Sequence, residues 1–188
     1  MGLERVIVGA IVLAAGLSRR MGAAKLALPV GGVPMLGRTL AAVSEAGLPV
    51  LLVTGGHEAA VRAVAAGVPQ VHAGAHGRGL AESLKAGLRA APADWGAALV
   101  VLGDMPFVAP ATLRLLADGL IAGAPAVVPV AGGRRGNPAG FTRGLWPALM
   151  ALEGDGGARP LLDALGVVEM AVDDAGVHRD FDRPEDLA

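Results

Sequence analysis

Apolar residues follow two rhythms along the chain, and their alternation predicts the fold. Val6 to Leu13 is an unbroken, β-branched-rich run of strand length. A run with no polar alternation suits a strand covered on both faces of a parallel sheet. Val50–Val53, Ala97–Leu102 and Ala126–Val130 repeat the type, Ala97–Leu102 being the clearest central strand, while Gln70–His72 and Val167–Val172 are further strands of more mixed composition. Between them the spacing changes to that of helices. Met35, Leu36, Leu40 and Val43 follow Pro34 at helical intervals and stop at Gly47; Glu58–Ala66 is a second helix; Leu80, Leu84 and Leu88 share one face of residues 80–91; and Leu113, Leu116 and Leu120 follow Pro110. Two short helices are expected at Trp146–Leu152 and Ala158–Leu165, with Ala139–Thr142 pairing beside the sheet. Such alternation predicts an open, mostly parallel α/β layer fold, whose ligands bind at the carboxyl ends of its strands.

The turn residues then show where chemistry is concentrated. The first strand runs straight into a glycine-punctuated loop ending at Lys25, in which Gly16 and Gly22 let backbone approach a ligand. Ser18, Arg19, Arg20 and Lys25 add one hydroxyl and three positive charges. That combination fits a polyphosphate. The loop is not a Walker A motif, because five residues separate Gly16 from Gly22 and no hydroxyl follows Lys25, and it lacks the Gly-x-Gly-x-x-Gly dinucleotide pattern. After Leu102 comes Gly103-Asp104-Met105-Pro106, a carboxylate at a strand end with glycine before it and a stiffening proline behind, well placed to hold Mg2+. Asp104 is a poor candidate for capping the next helix, which starts six residues later at Pro110. A second carboxylate is available from Asp180 or Asp182, which share one face of an extended segment.

Composition narrows the classes of partner. A chain of 188 residues fits one domain with a substantial core, and 16 Lys plus Arg against 17 Asp plus Glu give a net charge of −1. Such a balance supplies no field for coating nucleic acid or an anionic membrane. The absence of cysteine excludes disulfides and thiolate metal sites, so a metal would be held by oxygen, and a reducing cytoplasm is the expected compartment. Val6–Leu17 has the apolarity of a signal-peptide core, but Arg19 and Arg20 follow it rather than precede it, so it reads as the first strand of the fold. At about twelve residues it is also too short to span a bilayer.

Leu13-Ala14-Ala15-Gly16, Ser18, Arg20-Met21-Gly22 and Lys25 together resemble Leu-Ala-Ala-Gly-x-Ser-x-Arg-Met-Gly-x-x-Lys, the opening signature of nucleotidyltransferases similar to the molybdenum cofactor cytidylyltransferase, the MocA/MobA-like family. The resemblance continues in Gly103–Pro106 and in Asp180–Leu187, where Arg183 replaces the family's usual Thr. It also covers Gly79–Leu84, Arg135–Pro138 and Gly154–Arg159. It implies one Rossmann-like nucleotidyltransferase domain over residues 1–188, a mostly parallel sheet flanked by helices. By the same resemblance Leu13, Ala14, Ala15, Gly16, Ser18 and Ser83 bind the nucleotide, Arg20, Lys25 and Asp104 are catalytic, and Asp104 with Asp182 holds Mg2+. The implied reaction transfers CMP from CTP to a molybdopterin-type acceptor, with a molybdenum hydroxylase as eventual client. The alternatives are a guanylyltransferase on the same cofactor, a transferase acting on a sugar phosphate or other small phosphorylated acceptor, and a non-catalytic nucleotide-binding chaperone of a molybdenum hydroxylase. Related guanylyltransferases read Leu-Ala-Gly-Gly, so the methyl of Ala15 favours CTP. Arg134 and Arg135 are either a clamp for the acceptor phosphate or ordinary solvated charges. His57, His72, His76 and His178 show neither ligand spacing nor a nucleophile partner and are assigned no chemistry.

Overall fold

The computed structural model describes residues 6–16, 24–154, 158–164 and 166–181. Its centre is β1 (Ile7–Ala14), flanked in parallel by β4 (Val50–Thr54) and β6 (Trp95–Leu102), with Leu13 level with both Val53 and Leu102. β5 (Gln70–His72) extends the β4 edge in parallel. On the other side lie β9 (Ala139–Thr142), β7 (Ala126–Ala131) and β10 (Val168–Ala171), giving the order β10-β7-β9-β6-β1-β4-β5. β9 alone in that row runs against its neighbours, β6 and β7. Its reversal matters for function. The chain enters β9 at the carboxyl edge of the parallel strands, so residues just before Ala139 arrive beside the end of β6.

The unalternating character of β1 has the packing consequence expected of it. Ala10, Val12 and Ala14 point into one core layer with Met35, Leu36 and Leu116; Ile11, Leu13 and Ala15 point into the other with Leu84, Trp146 and Leu162. The first layer is covered by α1 (Met35–Glu45), α2 (Glu58–Val64) and α4 (Pro110–Ile121), the second by α3 (Leu80–Ala90), α5 (Trp146–Met150) and α6 (Arg159–Ala164). Trp95 and Trp146 are both buried. Among the described residues no helix is long and apolar enough to cross a membrane.

Two features depart from the expected elements for the same reason. Gly31-Gly32 and Gly132-Gly133 have positive φ at both positions, the geometry of a tight two-residue hairpin turn. The first joins β2 (Pro29–Val30) to β3 (Val33–Pro34), so Pro34 ends a strand and α1 begins at Met35. The second joins β7 to β8 (Arg134–Arg135), a strand absent from the elements expected above. Elsewhere the boundaries shift. β6 starts two residues before Ala97, and the helices expected to reach Ala66 and Leu152 end at Val64 and Met150. The start of α4 is tied to distant chain, since Asp174 Oδ2 accepts from Ala109 N at 2.9 Å and Thr112 Oγ1 at 2.6 Å while its Oδ1 accepts from Gly176 N at 2.9 Å.

Candidate functional site

Where β1 and β6 end, the chain is drawn tightly together. Gly103 N donates to Leu13 O at 3.0 Å, and a Cβ at Gly103 would itself lie 3.0 Å from that oxygen, so a side chain here would push the strand ends apart. From α1 the buried Thr39 hydroxyl donates to Gly103 O at 3.1 Å. The turn that presents Asp104 is therefore fixed from two sides. Lys25 opens a short 3-10 turn, Lys25–Ala27, and its Nζ lies 2.7 Å from Asp104 Oδ2. The lysine side chain is 10% exposed and the aspartate 24%, so the pair is half shielded, with the carboxylate the more open partner. The structure thus brings Lys25 and Asp104, 79 positions apart in sequence, into direct contact.

Leu13, Ala14 and Ala15 are buried as they approach the loop, while Gly16 is exposed with open space where a Cβ would stand. Gly56 N donates to Ala15 O at 3.0 Å, joining the ends of β1 and β4. Ser83 lies in the first turn of α3 and is 4% exposed. Arg19, Ser18, Arg20, Met21, Gly22, Asp155 and Asp182 lie outside the described residues. Asp180 is described, and it lines a cavity of about 290 Å³ together with Met105, Arg134 and His178. The neighbouring Phe181 anchors that segment, buried at 1% exposure in the core.

A larger cavity of about 430 Å³ opens beneath the same strand ends. Leu13, Leu102, Val128 and Phe141 form its floor, Leu84 and Leu162 cover it, and Arg135, Asn137 and Asp163 provide polar groups at one end. Gly154 O accepts from Ala81 N at 3.1 Å, which brings the loop after α5 against the start of α3. Arg135 is not an isolated cation. Its Nε is 2.7 Å from Glu169 Oε1 and its Nη1 2.6 Å from Asp163 Oδ1, and the Glu169 hydrogen bond, foremost, raises its pKa further. Arg134 is exposed. Glu58, at the start of α2, is held below the ordinary carboxylate range chiefly by its hydrogen bond from Arg62, and then by the charges of His72 and Arg62.

The sequence reading passed over Thr39 and Asp174, and it assigned His76 no chemistry. The long-range roles of Thr39 and Asp174 carry no local signal, because the partners they reach across the fold are 64 and 62–65 residues away. His76 left a faint one, standing in Gly74-Ala75-His76-Gly77, a histidine between glycines just before the segment Gly79–Leu84.

A family model described as the MobA-like NTP transferase domain matches residues 10–170. The structure of Rv0371c from Mycobacterium tuberculosis H37Rv is 34% identical and superposes with a TM-score of 0.87, covering 97% of this chain and 96% of that one. A structure of Rv0371c in complex with manganese gives 32% identity and a TM-score of 0.84 over 96% of each chain. The molybdopterin-guanine dinucleotide biosynthesis protein A of Archaeoglobus fulgidus shares the fold, with a TM-score of 0.72 at 23% identity over 95% of this chain and 94% of that one. Among curated proteins, the bifunctional protein GlmU of Agrobacterium fabrum is 31% identical over 140 residues. Those residues make up 71% of this chain but only 30% of GlmU, so the chain spans less than a third of that relative.

Proposed function

The chain belongs to the MobA-like NTP transferases, enzymes that transfer a nucleotide, and on that premise we propose that it moves CMP from CTP to the terminal phosphate of molybdenum-bearing molybdopterin. An acceptor phosphate oxygen attacks the α-phosphorus in line, the bond from that phosphorus to the bridging oxygen breaks, and pyrophosphate leaves. The acceptor is already an anion, so no general base is needed. Positioning and charge neutralisation carry the reaction. Lys25 and Arg20 offset charge on the triphosphate, Leu13–Gly16 and Ser18 border the nucleotide, and Ser83 lies by its base.

Asp104 offers a hard oxygen donor that is partly open, as a divalent cation requires. Among the described residues no group of three or more His, Asp or Glu side chains could hold a metal. The chain's share of such a site would be Asp104 with Asp182, and substrate phosphates would complete it, which suits Mg2+. The manganese complex of Rv0371c supports a divalent ion. When bound, the ion would neutralise developing phosphate charge.

The observation that carries the choice of acceptor is the 430 Å³ cavity, which starts at Leu13 and Leu102, the strand ends leading to Lys25 and Asp104, and is apolar except at one end. A sugar phosphate buried there would leave hydroxyls without partners, at a cost of about 1–3 kcal/mol each. A fused-ring pterin with polar groups along one edge fits better, with that edge toward Asn137 and Asp163. Mass spectrometry of the product formed from each NTP with molybdenum-loaded molybdopterin tests the proposal. A CMP adduct with pyrophosphate release is expected from CTP. A GMP adduct would transfer the assignment to a guanylyltransferase, turnover of sugar phosphates alone would overturn the acceptor, and no pyrophosphate from any pair would leave a nucleotide-binding chaperone.

A further inference from the structure

At the carboxyl ends of β4 and β5 a histidine is held with unusual completeness. His76 Nδ1 lies 2.7 Å from Ala73 O. A carbonyl oxygen only accepts, so Nδ1 carries the proton and the neutral ring presents a lone pair at Nε2. The ring is braced on two sides. A Cβ built on Gly55 would stand 2.7 Å from His76 Cγ and 2.8 Å from Ala15 Cβ, so imidazole and methyl both press on the bare glycine. His72 meets the ring edge to face, centroids 5.8 Å apart at 79°, and is steadied in turn by Glu58 Oε2, 3.2 Å from its Nδ1. Arg62 Nε donates to the other Glu58 oxygen at 2.8 Å.

No partner meets His76 Nε2 among the described residues. Beside the ring the chain borders open space, for Cβ atoms at Gly16, Gly74 and Gly77 would meet nothing within 4 Å. These glycines lie by the Ala15–Gly16 end of β1 and ahead of α3, where Ser83 lies, and they leave the approach to the His76 side of the sheet edge uncrowded.

We infer that His76 is a specificity-determining residue for the base: its Nε2 lone pair accepts a hydrogen bond from the 4-amino group of cytosine and opposes the 4-oxo group of uracil. The inference deepens the proposed transfer of CMP and rests on it. A site built to accept a hydrogen bond rejects a base that offers another lone pair far better than an apolar pocket rejects a change of size.

The test compares CTP, UTP and the triphosphate of 2-pyrimidinone riboside, which is cytidine without the amino group, by calorimetric binding and by pyrophosphate release with molybdenum-loaded molybdopterin. Wild type should favour CTP over both others by at least about tenfold in kcat/KM. His76→Asn retains a donor for Ala73 O but removes the group at Nε2. It should weaken CTP alone, collapsing the CTP-to-UTP ratio toward one and leaving the pyrimidinone unchanged. His76→Gln, whose amide reaches the Nε2 position, should recover part of the ratio. A folded His76→Asn protein that loses all three nucleotides equally, or none, overturns the inference and shows a purely structural histidine. The wild-type arm alone exposes failure of the parent reading: no pyrophosphate from CTP brings down both.

Discussion

Lys25 and Asp104 neutralise each other at 2.7 Å, and each is expected to exchange that contact for substrate during turnover. Lys25→Ala should lower kcat/KM by about ten- to a thousandfold, the scale of one lost donor to developing phosphate charge. Asp104→Ala should abolish transfer and keep the fold, because Asp104 sits on a turn fixed by Thr39 and Leu13 rather than in the core. It should still cost about 1–3 kcal/mol in a urea titration, since the buried lysine loses a charged partner. Normal turnover by a folded Asp104→Ala protein would remove the aspartate from the mechanism. The contact could not be read from spacing alone. The two motifs were legible singly, one as a basic loop and one as a carboxylate at a strand end, but the shared edge that joins them depends on β6 lying beside β1.

Elements were legible in proportion to how local their causes are. The long apolar runs of β1 and β6 and the helical periodicity of α1, α3 and α4 announced themselves, because burial on two faces and on one stripe leave different patterns. The Gly-Gly hairpins were missed as strands, their ladders being only two residues long and set by turn geometry rather than apolar rhythm. The direction of β9 was hidden too, since its residues look the same whichever way the strand runs. Asp174 belongs to this scale. It accepts three hydrogen bonds, two from the beginning of α4, and so does for that helix what a capping side chain would do from within it. Asp174→Ala should destabilise the protein by about 1–3 kcal/mol in urea denaturation, by leaving Ala109 N and Thr112 Oγ1 without an acceptor. A change within error would show that water replaces it fully.

At the scale of the whole molecule, β1 feeds both core layers with alternate side chains, so neither layer can open without exposing the other's strand. The two tryptophans lie in the layer beneath α3 and α5, and the chain contains no tyrosine. Fluorescence therefore reports one layer while far-ultraviolet circular dichroism reports both. The two should give the same denaturation midpoint, and separate midpoints would show layers that unfold independently. The reversed strand β9 also bears on ancestry. The hairpin that leads into it can lengthen, shorten or change charge while the residues ending β1, β4 and β5 stay undisturbed, because β6 stands between the two groups. Among descendants of one gene, that hairpin would then drift sooner than the strand ends on the far side of β6.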